Sequence, residues 1–234
     1  MSIAENIAKI RAEMNAAAIA AGRDPSQILL CAATKMNDAD RVRQAIAAGV
    51  DLCGENRVQE LTQKLSENAY EGAPIHFIGH LQTNKVKKVV GKADIIQSVD
   101  SLRLLEAIDK EAGKQGLRQD ILLELNIGEE ATKTGAAADD LWPMLECAAG
   151  LRNVHVRGLM AIPPAFDNGP ESRRYFAMLR ELMEQAKARH YENAQLDILS
   201  MGMSGSYEAA ILEGATLVRV GTAIYGERDY PNRI

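Results

Sequence analysis

Two groups of residues in this chain have the types and spacing to act on one small molecule. One is an amine. The run "CAATK" (31–35) is small and apolar until it stops on Lys35, and the turn-like "MND" follows. Desolvation disfavours an ammonium ion and lowers its pKa, and the free amine so produced attacks carbonyl carbon. The other group is a pair of segments late in the chain. "GMSGSYEAA" (202–210) offers glycine-flanked backbone N–H groups and the hydroxyls of Ser204 and Ser206 ahead of a helix-like stretch. "VGTA" (220–223) adds the amide of Gly221 and the hydroxyl of Thr222. Such loops, aided by a helix dipole, suit a phosphate dianion. Taken singly, each feature has a plainer meaning: Lys35 as a strand-end side chain snorkelling to water, the serines as helix caps.

These residues need a scaffold, and the rest of the chain reads as one. Eight short apolar runs fall at 28–34, 50–55, 75–79, 94–99, 120–127, 154–160, 196–201 and 216–221. Helix-like stretches separate them: 38–49, 56–69, 83–91, 101–115, 138–149, one within 170–190, and 206–213, after an opening helix in the first 22 residues. In the 170–190 stretch, Phe176, Leu179, Met183 and Ala186 share one helical stripe. Strands that are apolar throughout, each followed by a helix, predict a parallel sheet covered by helices. The expectation is an α/β fold: a (β/α)8 TIM-like barrel of near-minimal size with an extra N-terminal helix. A doubly wound sheet would need a G-x-G-x-x-G turn after its first strand, and none is there. No linker rich in Pro, Gly or Ser divides the chain, so residues 1–234 are expected to form a single domain.

In such a barrel the chemistry sits at the C-terminal ends of the strands. That places Lys35 after strand one, Glu55 and Asn56 after two, Gly79, His80 and Gln82 after three, and the two glycine loops after seven and eight. Alternation with period two puts Leu29, Cys31, Ala33 and Lys35 on one side. If that side is the interior, small Cys31 and Ala33 leave room beside the lysine stem, and Lys35 faces the phosphate cradle across the barrel mouth. An amine and a dianion cradle in one mouth point to a phosphorylated carbonyl compound held at both ends. Pyridoxal phosphate (PLP) meets that description, because an amine captures its aldehyde as a Schiff base.

Bulk properties exclude other classes. The chain is 47% hydrophobic and 25% charged, ordinary for a globular protein with a core. With 27 basic and 32 acidic side chains its net charge is −5, which gives no reason to expect nucleic acid or an anionic membrane as partner. Lys85, Lys87 and Lys88 read as a solvated helix face. Three scattered cysteines, Cys31, Cys53 and Cys147, build neither a metal motif nor a disulfide framework. The first 22 residues carry charges throughout and no later segment is long and apolar enough to span a bilayer, so the expected location is the cytoplasm.

Six motifs carry a family resemblance: "ATK" (33–35), "GENRVQE" (54–60), "HFIGHLQTNK" (76–85), "GLMAIPP" (158–164), "LSMGMSGSYEAAI" (199–211) and "VRVGTAIYG" (218–226). Over nearly its whole length the sequence resembles the pyridoxal-phosphate homeostasis proteins, single-domain relatives of the N-terminal barrel of alanine racemase. The resemblance implies that Lys35 carries PLP as an internal aldimine. It implies that Ser204, Gly221 and Thr222 hold the phosphate, that Arg219 faces the pyridine nitrogen, and that Asn56, His80 and Met201 line the pocket. An arginine there, which donates and does not give up its proton, leaves that nitrogen unprotonated and the ring a weak electron sink.

Two functions are open at this stage. A carrier would bind PLP, buffer the free aldehyde and deliver it to PLP-dependent apo-enzymes. The alternative is a PLP-dependent amino-acid racemase or another weak PLP enzyme. Two-base racemisation needs a proton donor on the second face of the cofactor, which alanine racemase takes from a tyrosine of an extra C-terminal domain. Nothing in the spacing puts Tyr207, Tyr225 or Tyr230 there, so the expectation is a non-catalytic carrier. Without that domain, a monomer is expected. A Schiff-base aldolase acting on a sugar phosphate would use a lone lysine equally well, but the motif set disfavours it.

Overall fold

The computed structural model describes residues 1–128, 134–164 and 172–226. Its eight strands are β1 (Leu29–Ala33), β2 (Leu52–Glu55), β3 (Ile75–Phe77), β4 (Ile95–Val99), β5 (Gln119–Leu125), β6 (Val154–Ala161), β7 (Ala194–Ser200) and β8 (Leu217–Val220). All pair in parallel and in sequence order, and β8 pairs back onto β1 to close the barrel. The closing register sets Cys31 opposite Arg219 and Ala32 opposite Val220. The expected (β/α)8 architecture is therefore the observed one, N-terminal helix included.

The helices are α1 (Ile3–Ala20), α2 (Ala39–Ala47), α3 (Val58–Ser66), α4 (Leu102–Gln115), α5 (Leu141–Gly150), α6 (Arg173–Arg189), α7 (Tyr207–Leu212) and α8 (Thr222–Tyr225). Local chemistry sets their ends. Ser2 and Glu5 form a reciprocal capping box on α1, Asp38 caps α2 through the Arg41 amide, and α4 stops at Gly116 in the left-handed conformation. Pro143 sits in the first turn of α5, where a missing N–H costs little. On α6 the buried residues are Phe176, Leu179, Met183 and Ala186, the stripe read from the sequence.

One element departs from its pattern. The helix expected at 83–91 forms only a 3-10 turn over Thr83–Lys88. Val86 is the buried residue of that turn, and Val89 and Val90 are buried just after it. β-branched side chains lower helix propensity, and so short an apolar face does not offset the cost of nucleating an α-helix. Lys87 and Lys88 lie exposed, as a solvated face requires, and Lys85 is half-buried.

Two cores result from the alternation of side chains along each strand. Cys31, Leu52, Ile95, Leu122, Met160, Ile198 and Leu217 pack inside the barrel. Their strand neighbours Ala32, Cys53, Ile96, Leu123, Leu159, Leu199 and Val218 join the helices in the larger outer core. Cys31 and Cys53 are thus buried on opposite sides of the wall, both as free thiols. Burial raises both pKa values, that of Cys53 to about 12, so neither serves as a thiolate. Among the described residues no helix is long and apolar enough to cross a membrane, and no cluster of His, Cys, Asp or Glu could hold a metal ion.

Candidate functional site

Parity decides which side chains enter the barrel mouth. Cys31 is interior, so Ala33 and then Lys35 follow on the same side, and Lys35 is half-buried in the turn just past β1. Barrel closure corrects one feature of the sequence reading. Because β8 is the hydrogen-bonded neighbour of β1, the loops after β8 and β7 lie beside Lys35 and not across the mouth from it.

In those loops two backbone amides converge. The N–H groups of Gly221 and Ala223 both donate to Ser204 Oγ, each at 3.2 Å. Ser204 therefore does not cap the helix that follows it, α7; its oxygen occupies the point to which the first turn of α8 directs its donors. Ser206 turns back to accept the Met203 amide at 3.2 Å. The left-handed Gly202 permits the bend: a Cβ there would stand 2.6 Å from that of Ala210. Tyr207 anchors the loop from behind, donating its hydroxyl to Glu13 on α1. Gly221 is half-buried and Thr222 exposed beside it.

Arg219 is buried with 4% of its surface left. Its Nη1 donates to Ser200 Oγ and its Nη2 donates to the Ala161 carbonyl at 2.9 Å, so the guanidinium leans from β8 over β7 towards the end of β6. The chain of contacts continues. Ser200 Oγ donates to Gln97 Oε1 at 2.6 Å, and Gln97 Nε2 lies 2.7 Å from His76 Nδ1. Gln97 Oε1 accepts from Ser200, which leaves the Gln97 amide nitrogen, a donor, facing His76 Nδ1. His76 then presents a bare Nδ1 and is neutral. Burial acts the same way, bringing its pKa down to about 4.

One buried interior carboxylate was not anticipated from the sequence. Glu124 on β5 is buried, accepts the Thr134 hydroxyl at 2.8 Å, and is raised in pKa by burial against the pull of Thr134 and Arg219. Gln97 and Ser200 were likewise missed. The signal for all three was parity: each lies two residues beyond an interior apolar residue, at Leu122, Ile95 and Ile198.

The other expected pocket residues separate. Asn56 is half-buried after β2, and its Oδ1 is buried with no hydrogen-bond partner among the described residues. Gly79 backs it closely; a Cβ there would come within 2.1 Å of the Asn56 carbonyl oxygen. His80 stands at the rim with 54% of its side chain exposed, its Nδ1 3.4 Å from Asp100 Oδ2. Met201, expected to line the pocket, is instead wholly buried in the outer core, with its N–H donating to the Leu217 carbonyl of β8.

The family model described as alanine racemase, N-terminal domain, matches residues 2–229. The chain is 43% identical over 231 residues to the pyridoxal phosphate homeostasis protein of Pseudomonas aeruginosa, covering 98% of this chain and 97% of that one. To the protein of that name from Aquifex aeolicus it is 41% identical over 230 residues, 98% and 100% of the two chains. The structure of PipY from Synechococcus elongatus with PLP bound superposes with a TM-score of 0.81 at 36% identity, covering 96% of this chain and 100% of that one. The chain belongs to the alanine racemase N-terminal domain family and, within it, to the pyridoxal phosphate homeostasis proteins.

Proposed function

We propose that this protein binds pyridoxal 5′-phosphate at the barrel mouth, held covalently by Lys35, and that it buffers or delivers the cofactor without consuming it. One observation carries the reading: two amides just past β8, of Gly221 and Ala223, aim at a single oxygen, and β8 pairs with β1, the strand before Lys35. On the pyridine ring the aldehyde and the phosphate arm occupy neighbouring carbons, so amine and cradle have to be neighbours, and the β1–β8 seam makes them so. The ring nitrogen lies opposite the aldehyde, on the side to which Arg219 leans. Asn56 Oδ1 supplies a buried acceptor in want of a donor. The residues present fit the group.

Bound there, the cofactor supplies an aldehyde that amines capture reversibly. The protein's own part is to hold. The hydroxyls of Ser204 and Thr222 would hold the phosphate, joined by the Gly221 and Ala223 N–H groups as these turn from Ser204 Oγ to it. Arg219, fixed by Ser200 and Ala161, donates towards the ring nitrogen and keeps a proton off it. Lys35, half-buried just past β1, would supply the amine that meets the aldehyde.

Racemisation is the competing activity, and the tyrosines argue against it. Tyr207 is committed to Glu13. Burial raises the pKa of Tyr225, whose ring lies 5.6 Å from the Arg41 guanidinium, which makes it a poor proton donor and acceptor at neutral pH. Tyr230 lies outside the described residues. We place the protein in the cytoplasm as a monomer that gives up PLP to apo-enzymes; light scattering at 25.5 kDa checks the monomer.

The deciding experiment is borohydride reduction followed by peptide mapping. The expected result is a visible absorption band that reduction removes and a pyridoxyl group on the peptide containing Lys35. Adducts confined to other lysines would overturn the assignment. Rapid interconversion of amino-acid enantiomers by clean protein would overturn the carrier reading.

A further inference from the structure

Lys35 stands in a turn, and a turn left to itself would not hold an amine at one height. The peptides on both sides of it are held from outside the barrel. Thr34 is wholly buried; its N–H donates to the Gly54 carbonyl at 2.8 Å and its hydroxyl to Glu55 Oε2 at 2.9 Å. Its carbonyl accepts Lys64 Nζ at 2.7 Å. On the other side, the Met36 N–H donates to Glu60 Oε2 at 2.6 Å while Met36 sits at φ 61°. That left-handed conformation is strained for a residue with a Cβ and persists only where its surroundings enforce it.

The holding groups form one ionic cluster. Lys64 Nζ lies 2.6 Å from Glu55 Oε2 and 3.3 Å from Glu60 Oε2, with 5% of the Lys64 side chain and none of Glu55 exposed. Glu55 Oε1 also accepts the Asn56 amide at 2.9 Å. A pair buried this deeply is a poor way to gain stability, since apolar residues of equal volume serve as well or better. What an apolar pair cannot do is grip a carbonyl at position 34. By parity Thr34 and Glu55 extend the outer face of Ala32 and Cys53, so pinning Thr34 outwards sends the next side chain inwards.

We propose that Lys64 and Glu55 are positioning residues, with Glu60 as their auxiliary: they fix the Lys35 turn so that the amine meets the aldehyde. The proposal rests on Lys35 being the covalent anchor. Its test compares two probes on the wild type and the paired variant Glu55→Leu/Lys64→Met, which removes both charges and keeps the volume. Pyridoxal phosphate needs both amine and cradle. Pyridoxamine phosphate has no aldehyde and reads the cradle alone.

In the paired variant, folded by circular dichroism, formation of the borohydride-trapped Lys35 adduct slows by about tenfold to a hundredfold. Pyridoxamine phosphate affinity stays within about twofold of wild type, a split that general loss of structure would not give. Equal weakening of both probes, or no change in either, overturns the proposal. If the paired variant does not fold, Glu60→Ala carries the test, because that residue is partly exposed: adduct formation slows by roughly threefold to tenfold with pyridoxamine phosphate affinity unchanged. Unaltered adduct formation there overturns the proposal. A wild-type protein that forms no Lys35 adduct would instead defeat the binding site itself.

Discussion

The lower and upper halves of the barrel interior are built on the same strands and differ in kind. On four strands, stepping two residues towards the C-terminal end exchanges an apolar side chain for a polar one: Ile95 for Gln97, Leu122 for Glu124, Ile198 for Ser200, Leu217 for Arg219. All eight are buried. The lower set fills space. Three of the upper set, Arg219, Ser200 and Gln97, form a chain of hydrogen bonds that ends on His76, and Glu124 accepts from Thr134 beside it. One layer fills the barrel and the next carries its buried polar groups, and no element boundary separates them. What a position does here depends on its height in the barrel.

The sharpest way to break this contrast is at the top. Lys35→Ala abolishes the visible band and the borohydride adduct, while thermal stability changes by less than about 1 kcal/mol, since a half-buried turn residue contributes little packing. Unfolding of the variant would make the lysine structural. The lower layer is expected to behave in the opposite manner. Leu122→Ala costs about 2–5 kcal/mol through lost contacts and a residual cavity. The position of the visible band in the remaining folded protein stays where it was, and a displaced band would show the two layers to be coupled.

His76 reports on the far end of the polar chain through pH. Its folded pKa of about 4 lies below the 6.5 of a free imidazole. Above pH 6.5 neither state binds the proton, so the group has no effect. Between these values only the unfolded chain is protonated, so stability falls as pH falls, and the loss levels off once the folded state also titrates. At about 1.4 kcal/mol per unit the full loss is about 3 kcal/mol. Urea unfolding from pH 7 to 4 should show this limb in the wild type and a flatter one in His76→Leu; equally steep limbs would remove His76 from the account. The smallest effect is expected from Ser200→Ala, about 1 kcal/mol of stability. It releases Arg219 from one acceptor, and the visible band of the loaded protein is expected to shift. An unshifted band would mean that Ala161 alone holds the guanidinium.

Much of the fold was legible because it is written locally. Strand and helix periods, the capping box at Ser2, the Gly116 stop and the α6 stripe need only neighbours a few residues away. The failure at 83–91 shows the limit of period alone, since its valines satisfy the spacing and resist the α-helix. Motif reading singled out Lys35, Ser204, Gly221 and Thr222 because a loop glycine beside a hydroxyl, or a cation ending an apolar run, is visible in one segment; Arg219 entered only through the family resemblance. Gln97 and Lys64 looked like any polar residue on a strand or helix, since their meaning lies in partners elsewhere.

The sequence by itself determined the eight βα units and the chemical types at the strand ends, because backbone sterics and side-chain alternation act over a few residues. Only the tertiary structure decided that the glycine loops after β7 and β8 stand on the Lys35 side of the barrel, that Ser200 meets Gln97 across 103 positions of chain, and that Lys64 closes on the Thr34 carbonyl. Those outcomes follow from the register in which β8 returns to β1 and from how deeply each polar group is buried. Both are properties of the closed barrel and of no single segment.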